Sequence, residues 1–365
     1  MEEFPVEIIS NILSRLSVKT LFQLKIVCKL WCKIIDDPCF GFQQLAQSGE
    51  EFTLLMHLSD KSQKRELINL CQLKNNAELL KLKAISVSPR LQALSCSCNC
   101  LLCFKNSDDP WTVTVFDVLR EKKFTVPNGA ITRMRKGYTV KYGLGWDSSS
   151  KNYKVVRVFV EHQVYNLVAE VQTLGTNSWR EISSGKNPSC FLRGRPVFAF
   201  GALHWMAESL HENDYFHQKP RIISFDIAEE EFYFTPAPDF GYGNAELFHL
   251  ADLGGCLAMA DCSSNTQIEI WVLRKKDQWL KECRIGIKAS NNGQVEVIGL
   301  WKPDEVLLRC SNQYFSYNPI KDELKYRHNR IGGSIDPDTS ILDICSHKLS
   351  LVSCTKLWEI DGENG

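Results

Sequence analysis

Apolar positions between Phe4 and Phe40 recur with the period of a helix, and beyond Phe42 they recur with the period of a strand. In the first stretch Ile8, Ile9, Ile12, Leu13 and Leu16 fall at helical spacing and form a stripe wider than one packing partner needs. Pro5 suits a first helical position, because its missing N–H is one of the donors that a helix start leaves unpaired, and Glu7 complements the positive end of the dipole. Ser17 is placed to cap a second helix carrying Leu21, Leu24 and Val27 on one face. Trp31, Ile34 and Ile35 make a third, which ends at Asp37 because the residue before Pro38 is pushed out of the helical region. Three helices this short enclose too little core to stand alone. Something else must cover part of their apolar surface, either the following domain of the same chain or a separate protein.

The second pattern is a recurring unit: an apolar strand, a polar turn, and a second strand opening on an aromatic or leucine. It runs from Thr53 to Leu73, Val113 to Pro127, Ala169 to Ile182, Arg221 to Pro236, Gln267 to Arg284 and Gln313 to Arg327. Repeats of roughly 50 residues with several strands each are the signature of propeller blades, Kelch-type blades among them. Every unit after the first follows another apolar pair: Leu91 to Phe104, Gly143 to Val160, Pro196 to Ala207, Leu247 to Ala260 and Val295 to Cys310. Turns such as Asp147-Ser148-Ser149-Ser150 and Lys302-Pro303-Asp304-Glu305 split two of these into hairpins, and Gly143-Leu144-Gly145 and Gly254-Gly255 allow close strand approach. An inner hairpin followed by an outer one makes a four-stranded blade. The first unit lacks its inner pair, while Ile341 to Cys354 is an inner pair left over. Joining the two gives six blades closed by both ends of the chain, which removes exposed strand edges. An open, sandwich-like β domain is the competing arrangement.

Composition narrows the function classes. The 365 residues hold 43 basic and 43 acidic side chains, so no global charge draws the chain to nucleic acid or to an anionic membrane. No basic segment with an apolar run precedes the first helix, and no apolar stretch approaches the roughly 20 residues needed to span a bilayer. The expectation is a protein of the cytoplasm, the nucleus or both. Its 15 cysteines then read as reduced, mostly buried thiols.

The N-terminal stretch resembles the F-box, the adaptor-binding motif of cullin-RING ubiquitin ligases, through Pro5 with Glu7-Ile8-Ile9, Ile12-Leu13, Leu16, Val18-Lys19, Leu21, Val27-Cys28-Lys29 with Trp31, and Asp37-Pro38 with Phe40. The remainder resembles the F-box-associated domain of large plant F-box families. That likeness rests on Ser97-Cys98-Asn99 with Leu101-Leu102-Cys103, Gly143-Leu144-Gly145-Trp146-Asp147 with Tyr153-Lys154-Val155-Val156, Thr176-Asn177-Ser178-Trp179-Arg180, Gly201-Ala202-Leu203-His204-Trp205, Ile223-Ser224-Phe225-Asp226, and Leu253-Gly254-Gly255-Cys256-Leu257 with Ile270-Trp271-Val272. The expected architecture is a small all-α, three-helix F-box over residues 1–45, followed by an all-β propeller of six four-stranded blades over residues 50–360. The resemblance implies the substrate-recognition subunit of an SCF-type E3 ubiquitin ligase, itself non-catalytic and without a cofactor. Its partners would be a Skp-family adaptor, cullin through that adaptor, and a protein target. Pro5, Ile8, Ile9, Leu13, Leu16, Leu21 and Val27 would meet the adaptor, with Trp31 and Ile35 holding the helices together. A propeller scaffold acting outside any ligase, its helices packed on the β domain, is the alternative.

Other chemistry finds less support in the residues. Cys96, Cys98, Cys100 and Cys103 have spacing that can hold zinc, but the first three alternate along one strand face at intervals of about 6 to 7 Å, too far apart for a tetrahedral site. Neither a Gly-x-Ser-x-Gly elbow nor a His-Glu-x-x-His helix is present. His204, inside a strand, reads as structural. For target recognition the candidates are aromatic and basic residues in loops on one face of the propeller: Trp111, Arg133, Arg135, Tyr138, His211, Tyr215, Phe216, His217 and Tyr242. Such residues combine large contact area with polar reach.

Overall fold

The computed structural model describes residues 5–37, 40–41, 43–44, 52–60, 62, 65–73, 79–87, 91–99, 101–106, 109, 111–118, 120, 122–126, 138–161, 166–182, 188–208, 219–239, 247–264, 266–275, 277–286, 295–302, 304–311, 313–327 and 339–348. Three helices come first: α1 (Val6–Leu13), α2 (Val18–Leu24) and α3 (Lys29–Asp36). Pro5 is the N-cap of α1, one position ahead of the expected first helical turn, with extended ψ and no N–H to leave unpaired. The Ser17 hydroxyl accepts from the Thr20 amide to cap α2, and the Cys28 thiol caps α3 at the Trp31 amide.

The strands that follow assemble into six four-stranded antiparallel sheets. β1 (Phe52–Asp60), β2 (Arg65–Leu73) and β3 (Leu79–Val87) begin the first; β4 (Leu91–Cys98), β5 (Leu101–Asn106), β6 (Val113–Asp117) and β7 (Lys122–Val126) make the second. The third holds β8 (Tyr138–Asp147), β9 (Asn152–Glu161), β10 (Leu167–Thr173) and β11 (Arg180–Glu181), and the fourth β12 (Phe191–Ala199), β13 (Ala202–Glu208), β14 (Arg221–Asp226) and β15 (Phe232–Thr235). The fifth comprises β16 (Phe248–Asp252), β17 (Leu257–Asp261), β18 (Gln267–Lys275) and β19 (Gln278–Gly286), the sixth β20 (Val295–Lys302), β21 (Glu305–Cys310), β22 (Gln313–Asn318) and β23 (Glu323–Arg327). Finally β24 (Thr339–Lys348) pairs antiparallel with β1 and completes the first sheet as its innermost strand. The innermost strands β24, β4, β8, β12, β16 and β20 are neighbours in that order, and β20 meets β24. The result is a closed six-bladed propeller.

Closure differs from the sequence expectation in its share. The C-terminal segment contributes one described strand to the first blade rather than an inner pair, because Leu79–Val87 forms an outer strand the repeat pattern had passed over. Blade position explains the burial. β9 is buried on both faces at Val155, Val156, Val158 and Val160, since each side packs on a neighbouring blade, whereas the outer strand β23 is exposed almost throughout. A Cβ on Gly145 would come within 2.7 Å of Ile227, and one on Gly143 would overlap Leu203, so these glycines let the fourth blade close on the third. Gly254 and Gly255 serve differently from expected: both have positive φ and turn β16 into β17.

Buried polar pairs tie the blades. Arg157 and Glu170 are opposite one another on β9 and β10, both fully buried, with Arg157 Nε donating to Glu170 Oε2 at 2.8 Å and Nη1 donating to the Trp111 carbonyl at 3.1 Å. At the start of the β8–β9 turn, Asp147 accepts from the amides and hydroxyls of Ser149 and Ser150, and Lys154 donates to Asp147, to Glu230 and to the Ile227 carbonyl. Burial opposes ionisation of Asp147, yet the hydrogen bonds from Ser149, Lys154 and Ser150 outweigh it and hold the carboxyl well below the usual range.

Candidate functional site

Two surfaces differ from the rest of the molecule, and the first is on the helices. Leu13, Val18, Leu21, Ile34, Ile35 and Phe40 form their core, with Ile9, Leu16, Leu24 and Trp31 half-buried around it. Outside that core Ile8 is 47% exposed, Ile12 59%, Val27 57% and Ile26 91%, and Val6 and Leu30 are also open. The expected adaptor-binding set therefore divides. Pro5, Ile8 and Val27 stand on the surface, Ile9 and Leu16 straddle it, and Leu13 and Leu21 are corrected to core residues, because each is enclosed by the other two helices and has no side chain left to offer a partner. Val6, Ile12, Ile26 and Leu30, which the expected set did not include, are open on the same helices. For Ile12 the signal was present in the sequence: at about 100° per residue, Ile8 and Ile12 lie beside each other and off the line of Ile9 and Leu13.

The second surface is one end of the propeller. Each innermost strand runs from a blade-to-blade connection toward the first hairpin, so two kinds of connection leave from one end and two hairpin turns from the other. The hairpin end is tight, with turns at 99–100, 148–151, 200–201, 253–256, 276–277 and 303–304. The opposite end carries the long segments 127–137, 182–190, 209–220, 236–247, 287–294 and 328–338. Of the expected target-binding residues, Trp111 and the backbone of Tyr138 are described, both at the long-segment end. Arg133, Arg135, His211, Tyr215, Phe216, His217 and Tyr242 lie outside the described residues, as does the Tyr138 side chain, although its backbone opens β8. Trp111 is half-buried at the seam between the second and third blades, its ring stacked on Phe159 at 6.1 Å and its carbonyl held by Arg157. The helices face the other way. Asp36 of α3 lies 3.8 Å from Arg120, and Arg120 sits in the turn between β6 and β7, at the hairpin end.

The remaining candidates resolve into packing. Cys96 and Cys98 alternate on β4, and Cys103 on β5 lies directly opposite Cys96, all three buried among the side chains of the second and third blades. Burial, then the neighbouring thiols, raises Cys96, and burial raises Cys98, so both stay protonated near neutral pH. Cys100 lies outside the described residues. Among the described residues no group of three or more His, Cys, Asp or Glu is placed to hold a metal ion, and no helix is long and apolar enough to cross a membrane. His204 donates from Nε2 to the Ala199 carbonyl at 3.1 Å and accepts at Nδ1 from Ser224 at 2.7 Å, and burial lowers it to about 4.

Residues 53–325 match the F-box associated beta propeller domain, and residues 1–43 match the F-box domain. The chain belongs to the F-box-associated β-propeller family. As a member it is similar to the F-box protein At3g07870 of Arabidopsis thaliana, 24% identical over 89% of this chain and 87% of that one. It is also similar to the F-box protein CPR1 of the same plant, 27% identical over 77% and 72%. The helical surface is thus an F-box surface, and the long-segment end belongs to an F-box-associated propeller.

Proposed function

We propose that this F-box protein is the substrate-recognition subunit of an SCF-type E3 ubiquitin ligase, docking a Skp-family adaptor, and cullin through it, with its helices and a protein target with the long-segment end of its propeller. The observation that carries the reading is the open apolar set Val6, Ile8, Ile12, Ile26, Val27 and Leu30 on helices whose own core is already complete. A patch of this kind on a small domain marks a protein interface. The Asp36–Arg120 contact supports the division of labour, since it sets the helices at the hairpin end of the ring, away from the end where the long segments attach. The chain's contribution to ubiquitination is then proximity: it holds target lysines near a thioester carried elsewhere and needs no catalytic group of its own.

The test is co-purification of the full chain with a Skp-family adaptor. Ile8→Asp with Val27→Asp places two charges in the interface and leaves the helical core intact. Each buried unpaired charge costs several kcal/mol, so association is expected to fall by at least about a hundredfold. Undiminished binding in the double variant overturns the docking surface. Exposed positions make a cleaner test than Leu13, whose substitution would damage the helices themselves.

A further inference from the structure

The propeller's cations are not spread evenly around its channel. Lys105 near the end of β5, Lys141 on β8, and Arg193 and Arg195 on β12 come from three consecutive blades. Each of the first three reaches sideways to the innermost strand of the next blade: Lys105 Nζ donates to the Val140 carbonyl at 2.8 Å, Lys141 Nζ to the Gly194 carbonyl at 3.4 Å, and Arg193 Nη2 to the Phe248 carbonyl at 2.5 Å. Carbonyls are neutral acceptors, so these bonds position the positive charges without cancelling them. Glu208 pairs with Arg193 at 2.9 Å and offsets one.

The register of β12 breaks between Arg193 and Val197, and Gly194 takes a positive φ of 70° with open space where a Cβ would be. The bulge brings β12 close to β4 as well as to its neighbours β8 and β16, so it leans over the centre of the ring. It also leaves Arg195 and Gly194 exposed. Burial, and then the neighbouring Lys105, push Lys141 below its ordinary value, against an opposing pull from Glu208. In a chain with equal numbers of acidic and basic residues, this is a local excess.

We infer that the bulge of β12, with Lys105 and Lys141 beside it, forms a cationic mouth at the long-segment end of the channel that receives an acidic, aspartate- or glutamate-bearing segment of the target protein. This rests on the receptor reading and gives the target a chemistry. Charge complementarity commits the site to an anion. Single charges distributed over three blades, with Arg193 already offset by Glu208, suit carboxylates spaced along an extended peptide. A phosphate dianion needs several donors gathered on one point.

The test uses the full chain and fluorescein-labelled probes of equal net charge: a Glu-Ser repeat peptide, a phosphoserine peptide and a single-stranded RNA. At low salt the glutamate peptide is expected to bind and to weaken as salt is raised. Lys141→Glu with Arg195→Glu is expected to weaken it at least about tenfold, while Lys325→Glu on the exposed outer strand of the sixth blade leaves it unchanged. Lys141→Gln with Arg195→Gln, which removes charge without reversing it, keeps the test if the reversal does not fold, and is expected to give a smaller loss. Absence of peptide binding, equal binding by the charge-removed pair, or tighter binding of phosphopeptide or RNA overturns the inference. Peptide binding by a chain that never associates with the adaptor overturns the receptor reading and leaves the cationic mouth standing. The reverse result sinks only the mouth.

Discussion

The helices and the propeller solve the burial problem in opposite ways. The helices enclose one small apolar core and leave Ile8, Ile12, Ile26 and Val27 outside it. The propeller repeats the same sheet until each blade's faces are covered by its neighbours, and then buries charge as well, as at Arg157 and Glu170. A domain that hides even its ions needs no further packing layer, whereas a domain that leaves isoleucine in water has apolar surface that another chain could cover. In the proposed reading, recognition by the propeller falls to the connections and the β12 bulge, since connections can vary without disturbing the packed sheets.

The largest expected effect breaks the propeller's half of this comparison. Glu170→Ala removes the partner of a guanidinium that is fully buried, stacked 4.2 Å from the Trp179 ring and bonded to the Trp111 carbonyl. Leaving that charge uncompensated should cost about 3–5 kcal/mol in denaturant unfolding followed by tryptophan fluorescence. Arg157→Met with Glu170→Leu, similar in volume and uncharged, should recover most of it. A loss in the double variant as large as in the single one would show that the pair is needed for more than mutual neutralisation.

Acid sharpens the contrast next. His204 and His249 are both lowered to about 4 by burial, His249 also by Arg193, and His249 Nε2 accepts from the Val297 amide at 2.7 Å. Both are depressed below the unfolded value, so the unfolded chain takes up the proton first. The stabilisation is complete above about pH 6.5 and is lost as pH falls from there toward about 4, on the order of 3 kcal/mol for each histidine. Residues 1–44 contain no histidine. A pH series of thermal melts should therefore show the propeller transition falling across that window, and Phe substitution at His204 should flatten part of the slope.

How far the sequence disclosed this arrangement depends on whether a residue's partner is near in the chain. The inner and outer hairpins from Val113 to Arg327 were legible, because alternation and turn residues are local, and the Asp147 turn falls where its serines placed it. Leu79–Val87 alternates leucine with lysine and was readable too, but a unit framed as a hairpin left no room for a third strand, and so the C-terminal share of the first blade was set too high. Which side of a helix faces inward is decided by the other two helices. The helical period separates Ile8 and Ile12 from Ile9 and Leu13, but only packing decides which of the two lines is buried. The cationic mouth was invisible for the same reason: Lys105, Lys141 and the β12 bulge are far apart in the chain and are brought together only by the packing of successive blades.

The smallest effect concerns an exception within the propeller. Phe200 is 56% exposed and sits at φ 51°, followed by Gly201 at φ 76°, in the two-residue turn joining β12 to β13. Two successive positive φ values define the turn that favours Asn-Gly, because an aromatic Cβ in the left-handed region crowds its own carbonyl. Phe200→Asn should therefore raise stability by about 1 kcal/mol, read as a shift in denaturant midpoint with an unchanged slope. Phe200 is also an apolar side chain left open at the end of the ring where the helices are attached. Stabilisation with unaltered adaptor and target binding would make it a tolerated local strain. Stabilisation with weakened adaptor association would carry the docking surface beyond the helices onto the hairpin end, and the sharp division between a self-sufficient propeller and dependent helices would no longer hold.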